Sequence, residues 1–142
     1  MHRLSSLRRI MAGTALTGLL GCGATFAPGV PLTGRWGGKN LVVDLTTTGG
    51  TLDLTCGYGQ LDAPLVPDDA GRVSASGFTV TVGGAPPPPD YVPPRSRVVV
   101  SGHVDGNRLS LVVTTLGIGY PADGPPRYAL VRGQEGEVYR CP

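Results

Sequence analysis

The sequence predicts an all-β domain: a small antiparallel meander barrel of about eight strands, with a β-sandwich as the alternative. Three observations carry this. Its 23 glycines and 14 prolines in 142 residues fall between runs of Val, Leu and Thr, the pattern of short strands joined by turns. No stretch after Cys22 sustains helical periodicity over ten residues. Two segments fold back on themselves with one apolar and one polar face.

The amino terminus reads as an export address. Met1 to Arg9 holds three arginines and no acid, Ile10 to Leu20 is apolar, and Leu19-Leu20-Gly21-Cys22 matches a lipobox. Residues 1–21 are therefore expected to be a cleaved lipoprotein signal peptide, and Cys22 the lipidation site. The apolar run is shorter than the roughly 20 residues a spanning helix needs. Acyl chains such as palmitate on Cys22 would anchor the protein instead, since several chains together hold where one binds reversibly. The alternatives are an ordinary secretory signal, or a twin-arginine signal at Arg8-Arg9; against the latter, Leu7 stands where Ser or Thr is expected. Gly23 stands where an Asp retains lipoproteins in the inner membrane in diderm sorting systems of the familiar kind, and by resemblance to these the outer membrane is the expected location. In a single-membrane organism the same signal means the outer face of that membrane. Residues 22–32, with Ala27-Pro28-Gly29 and Pro31, read as a flexible linker, and 33–142 as the barrel domain.

Charge narrows the partners. Without Arg3, Arg8 and Arg9, the mature part holds nine basic against ten acidic side chains, with Lys39 the single lysine. A basic stripe is missing, so nucleic acid is not an expected partner. The expected partners are the membrane, through the acyl chains on Cys22, and a protein or small apolar ligand.

The segment Lys39 to Gly57 carries Gly49-Gly50 at the place of a two-residue hairpin turn. Folded there, Leu45 faces Leu54, Val43 faces Cys56 and Thr47 faces Leu52, with Asp44 and Thr46 on the polar side. In the segment Arg97 to Thr115, a turn at Asp105-Gly106 sets Val100 against Leu111, Gly102 against Leu109 and Val98 against Val113. Further strands are predicted at Gly34 to Gly38, Arg72 to Val82, Arg127 to Arg132 and Glu137 to Cys141. Gly133 to Gly136 is the last turn, and Gly57-Tyr58-Gly59 reads as a bulge or turn. The stretch GGAPPPPDYVPP, within a loop over 83–95, cannot join a sheet and should project stiffly from one end.

With Cys22 acylated, Cys56 and Cys141 remain, and an oxidising compartment predicts that they pair. If Cys141 faces inward beside Tyr139, the bridge joins the final strand to an early one inside the barrel. Two cysteines and His103 are too few for a zinc site, and no metal or other cofactor is expected.

The candidate site residues are aromatic. Trp36, within Gly34-Arg35-Trp36-Gly37-Gly38, reads as a plug at one end of a barrel, with ligand stacking as the alternative. Tyr58, Tyr91 and Tyr120, placed in loops, suit a protein contact. Ser101, His103 and Asp105 alternate on one strand, but such neighbours lie about 7 Å apart, too far for a hydrogen-bonded triad. Asp68-Asp69 before Gly71 lacks the ordered oxygen ligands of a calcium loop. Gly57-Tyr58-Gly59 has no lysine or helix after it to complete a phosphate loop. No catalytic residue is assigned and an enzyme is not expected.

From Gly34 to Cys141 the order of features resembles that of small bacterial secreted proteins and lipoproteins with a calycin-like barrel. The residues are Trp36-Gly37-Gly38, Cys56, Pro64-Leu65 with Asp69 and Gly71, Ser101-Gly102-His103, and Arg140-Cys141. The resemblance implies a barrel with an end-to-start disulfide and brings no catalytic residue and no ligand. The expected function is a membrane-anchored, non-enzymatic binding module of the cell envelope. The alternative is an inhibitor of an envelope-attacking hydrolase, a lysozyme or protease, acting through the proline-rich loop.

Overall fold

A computed structural model describes residues 26–141. Cys22 and the predicted signal peptide lie outside the described residues. The described chain forms eight strands and no helix: β1 (Gly34–Gly38), β2 (Leu41–Leu45), β3 (Gly50–Leu54), β4 (Gly57–Leu61), β5 (Arg72–Thr81), β6 (Ser96–Asp105), β7 (Arg108–Thr115) and β8 (Arg127–Arg132). Each pairs antiparallel with the next, and β8 returns to β1, closing a meander barrel. The sandwich alternative is thereby set aside.

Alternation is the local cause. Along β5 and β6, buried Val73, Ala75, Val98, Val100 and Val104 alternate with more exposed neighbours, so one face of each ribbon must turn inward. The inward residues of all eight strands merge into one core that includes Trp36, Leu41, Leu52, Leu61, Leu109, Leu111 and Leu130. An eight-stranded barrel is just wide enough for side chains to fill, and here they fill it.

Both predicted hairpins form with the expected faces inward but in other registers. Leu45 faces Gly50 and Val43 faces Leu52, because the turn is Thr46–Gly49 rather than Gly49-Gly50. The Thr46 hydroxyl oxygen accepts the amides of Thr48 and Gly49, and this side-chain turn outcompetes the glycine pair. In the second hairpin Val100 faces Val113 and Gly102 faces Leu111, with Gly106-Asn107 as the two-residue turn. Gly106 has φ +57° whereas Asn107 is not left-handed, the type II′ pattern that favours glycine first. Each slip is by an even number of residues, so the side chains that remain paired in the strands keep their faces, while Thr47 and Cys56 fall in turns.

Two strand assignments are corrected. Gly57–Leu61 is a full strand, β4, paired on both sides. Glu137 to Cys141 is not a strand; Glu137 makes one isolated parallel bridge to Lys39. Residues 133–141 form a strap across the outside of β1 and β2. Glu137 donates to the Gly38 carbonyl, its own carbonyl accepts the Asn40 amide, and the Tyr139 carbonyl accepts from Cys56. Backbone groups spent this way, with Gly133 and Gly136 left-handed, cannot join the closed ladder.

Connections alternate between two ends. The lower end carries the start of β1 and the β2–β3, β4–β5 and β6–β7 turns; the upper end carries the other four connections. Phe26 to Leu32, predicted as linker, is instead docked on the lower end. Leu32 is buried and donates to the Leu65 carbonyl, Gly29 donates to the Pro67 carbonyl, and Phe26 packs against the core. Burying Leu32 against Leu65 supplies the apolar contact that orders this segment.

Candidate functional site

The proline-rich loop and strand β4 together build the most distinctive surface of the upper end. Tyr58 pairs with Val80 on β5 and lies on the outward side, since Gly59 and Leu61 take the inward positions. Beyond β5, the Val82 amide donates to the Cys56 carbonyl, continuing the ladder by one bond. The chain turns at Pro88 to Tyr91, where the Tyr91 amide donates to the Pro88 carbonyl at 3.0 Å. It returns with the Arg95 guanidinium 4.4 Å above the Phe78 ring, a cation–π contact that holds the loop's far end to β5. The loop stays out of the sheet.

Between these anchors lies a groove of about 370 Å³, walled by Tyr58, Thr81 and Val82 on one side and by Pro86, Pro87, Pro88, Tyr91 and Pro93 on the other. No charged side chain lines it. Tyr58 is 48% exposed and Tyr91 52%, so about half of each side chain is open to a visitor. Tyr58 and Val82 also border a recess of about 140 Å³ whose wall includes Asp53, Cys56, Arg140 and Cys141. The groove therefore adjoins the end of the strap.

Cys56 and Cys141 are joined as a disulfide, with Cα atoms 4.9 Å apart. The bridge lies at the upper rim with Cys141 exposed, not inside the barrel beside an inward Tyr139, which is itself exposed. Closure of the barrel belongs to the β1–β8 pairing, Trp36 with Arg132 through Gly38 with Leu130. What the disulfide holds is the strap, together with the Arg35–Glu135 and Arg140–Asp53 ion pairs.

Of the four aromatic candidates, two converge. Trp36 is 1% exposed within the core, its indole donating to the Thr33 carbonyl at 3.3 Å and the Arg132 guanidinium lying 5.4 Å from its ring. Tyr120 lies in the β7–β8 connection, where its hydroxyl accepts the Thr115 amide. Neither lines the groove. Nearby, burial pushes the Tyr128 phenol above its ordinary range, and Tyr120 adds to the effect. Tyr58 is on a strand rather than in a loop. The signal that could have placed it is the alternation of Tyr58 and Gln60 with Gly59 and Leu61, masked because one inward position is glycine.

Ser101, His103 and Asp105 sit at alternate positions of β6, and among the described residues no hydrogen bond joins them. Asp68 shapes a turn: one carboxylate oxygen accepts the Ala70 and Arg72 amides and the other the Arg72 guanidinium at 2.8 Å. Those bonds, chiefly from the Arg72 backbone, hold its carboxyl below the usual aspartate range. Among the described residues, no three His, Cys, Asp or Glu side chains are placed to share a metal ion.

Comparison with family models, curated proteins and solved structures finds no match.

Proposed function

We propose that this chain is a lipid-anchored, non-enzymatic binding module of a bacterial cell envelope, of the kind seen in small lipoproteins with calycin-like barrels. Its partner is a protein, and the groove between Tyr58 and Tyr91 receives an apolar, extended segment of it. The observation that carries this is the convergence of two half-exposed tyrosines from different elements on one uncharged, proline-walled groove.

Two further features support the reading. The barrel interior is occupied by its own side chains, Trp36 foremost, which favours the outer surface over an internal apolar ligand. Ser101, His103 and Asp105 share no hydrogen bonds, which favours binding over hydrolysis. The anchor rests on the lipobox at Cys22, and Gly23 favours the outer membrane in a diderm host.

The test is proximity labelling from the full-length lipoprotein in its native envelope, with Tyr58→Ala/Tyr91→Ala beside wild type. A defined partner lost in the double variant, with thermal unfolding unchanged, is the expected result. A partner set identical in both proteins overturns the groove as the site.

The alternative, inhibition of a lysozyme or protease attacking the envelope, is favoured by the loop itself, whose residues from Gly83 to Val92 are all exposed. Deleting Pro86 to Pro94 would then abolish inhibition and leave the barrel folded.

A further inference from the structure

We infer that the barrel stands on the membrane by its lower end, so that the Tyr58–Tyr91 groove faces away from the surface to which the protein is anchored. This rests on acylation of Cys22, proposed above, and adds an orientation that acylation alone does not supply.

Reach sets the orientation. Phe26 is packed against the barrel core, and its ring lies beside Gly71, which also neighbours His103 and the Val104 carbonyl at the lower end. From Phe26 the chain stays docked through the Gly29 to Pro67 and Leu32 to Leu65 hydrogen bonds before entering β1. Cys22 and Phe26 are four residues apart, a separation that spans at most about 14 Å. Strands β5 and β6 are 10 residues long; tilted as barrel strands are, they set a height on the order of 25 Å. A leash shorter than the barrel is tall cannot let the barrel invert.

The surfaces of the two ends agree with this. The lower end carries Asp68, Asp69, Arg72, Asp105 and Arg108 around two exposed valines, Val30 and Val66, a surface of mixed charge that suits headgroup level rather than insertion. The upper end holds the more apolar exposures, Val82, Val92, Leu116 and Ile118 beside the two tyrosines. Turned from the membrane, these are presented to a protein reaching across the aqueous space.

Energy transfer to a headgroup acceptor tests the inference. Acylated full-length protein would be placed in phosphatidylethanolamine–phosphatidylglycerol vesicles, with a donor dye at Thr48→Cys on the lower end or Val92→Cys on the upper. Acylation is verified by mass spectrometry and a count of one free thiol confirms the disulfide. Transfer from position 48 should exceed that from position 92 at least about twofold, and a Gly-Ser insert of about 12 residues between Ala24 and Thr25 should erase the difference. Equal transfer from both positions, or more from 92, in acylated and vesicle-bound protein overturns the orientation while leaving the anchor intact. An unmodified Cys22 in protein from the native host overturns the anchor, and the orientation with it.

Discussion

Gly136 lies against Val42 so closely that a Cβ on the glycine would come within 2.6 Å of the valine Cγ2. Val42 points out of the barrel, between inward-facing Leu41 and Val43, yet it is only 3% exposed and is not part of the interior core. The strap over 133–141 covers it, and a left-handed glycine at φ +77° lets the backbone pass that near. The outer surface of this barrel thus has a small packed layer of its own, held at its far end by Cys141.

Gly136→Ala should destabilise the domain by about 2 to 4 kcal/mol, combining left-handed strain with overpacking on Val42. Gly133→Ala has the same strain, at φ +75°, but nothing within 4 Å of its Cβ, and should cost only about 1 to 2 kcal/mol. Urea unfolding of the two variants checks the order.

Cys141→Ser should lower stability by about 4 to 5 kcal/mol on the chain-entropy argument, since the bridge spans a sequence separation of 85. Under conditions where the variant stays folded, its far-UV circular dichroism should match wild type, because β1–β8 pairing closes the barrel without the bridge. Loss of the β spectrum in a variant still below its unfolding transition would contradict this.

Trp36→Ala should cost about 3 to 5 kcal/mol, as expected for removing the largest side chain from a filled core. Trp36 is the only tryptophan, so native fluorescence should be blue-shifted and poorly quenched by acrylamide. Ready quenching would place the indole at a surface.

Tyr120→Phe removes the acceptor for the Thr115 amide and should cost about 1 kcal/mol in thermal unfolding. Tyr91→Phe, whose hydroxyl has no such partner among the described residues, should leave unfolding unchanged and serve as the control.

Asp68 gives the expected pH dependence. Its folded pKa lies below the ordinary 3.8, so its stabilising contribution is complete above that value and is lost as pH falls through the lowered one. The stability difference between wild type and Asp68→Asn should shrink as pH drops from about 5 toward 2, followed by chemical unfolding at each pH. A constant difference would remove the charge from the explanation.

The strands were legible where alternation is uninterrupted. Val98, Val100 and Val104 announce the inward face of β6 directly, and the even slip in both hairpins left the faces of the paired strand residues as expected. Register was less legible, because the Thr46 hydroxyl builds its turn from a side chain while Gly49-Gly50 offered a more familiar signal. Strand β4 was hidden by Gly57 and Gly59, which leave Leu61 as its one apolar side chain on the inward face.

Of the site, the sequence supplied Tyr58 and Tyr91 as separate aromatic candidates and could not bring them together. Their meeting depends on β4 entering the sheet, on the Val82 to Cys56 bond and on Arg95 over Phe78, contacts between distant parts of the chain. By itself the sequence determined the fold class and which side of each recognised ribbon turns inward, because a two-residue period is a local property. The folded chain alone decided strand β4, the outer course of the strap and the groove, because those follow from which long-range pairings satisfy the backbone, and composition does not encode that choice.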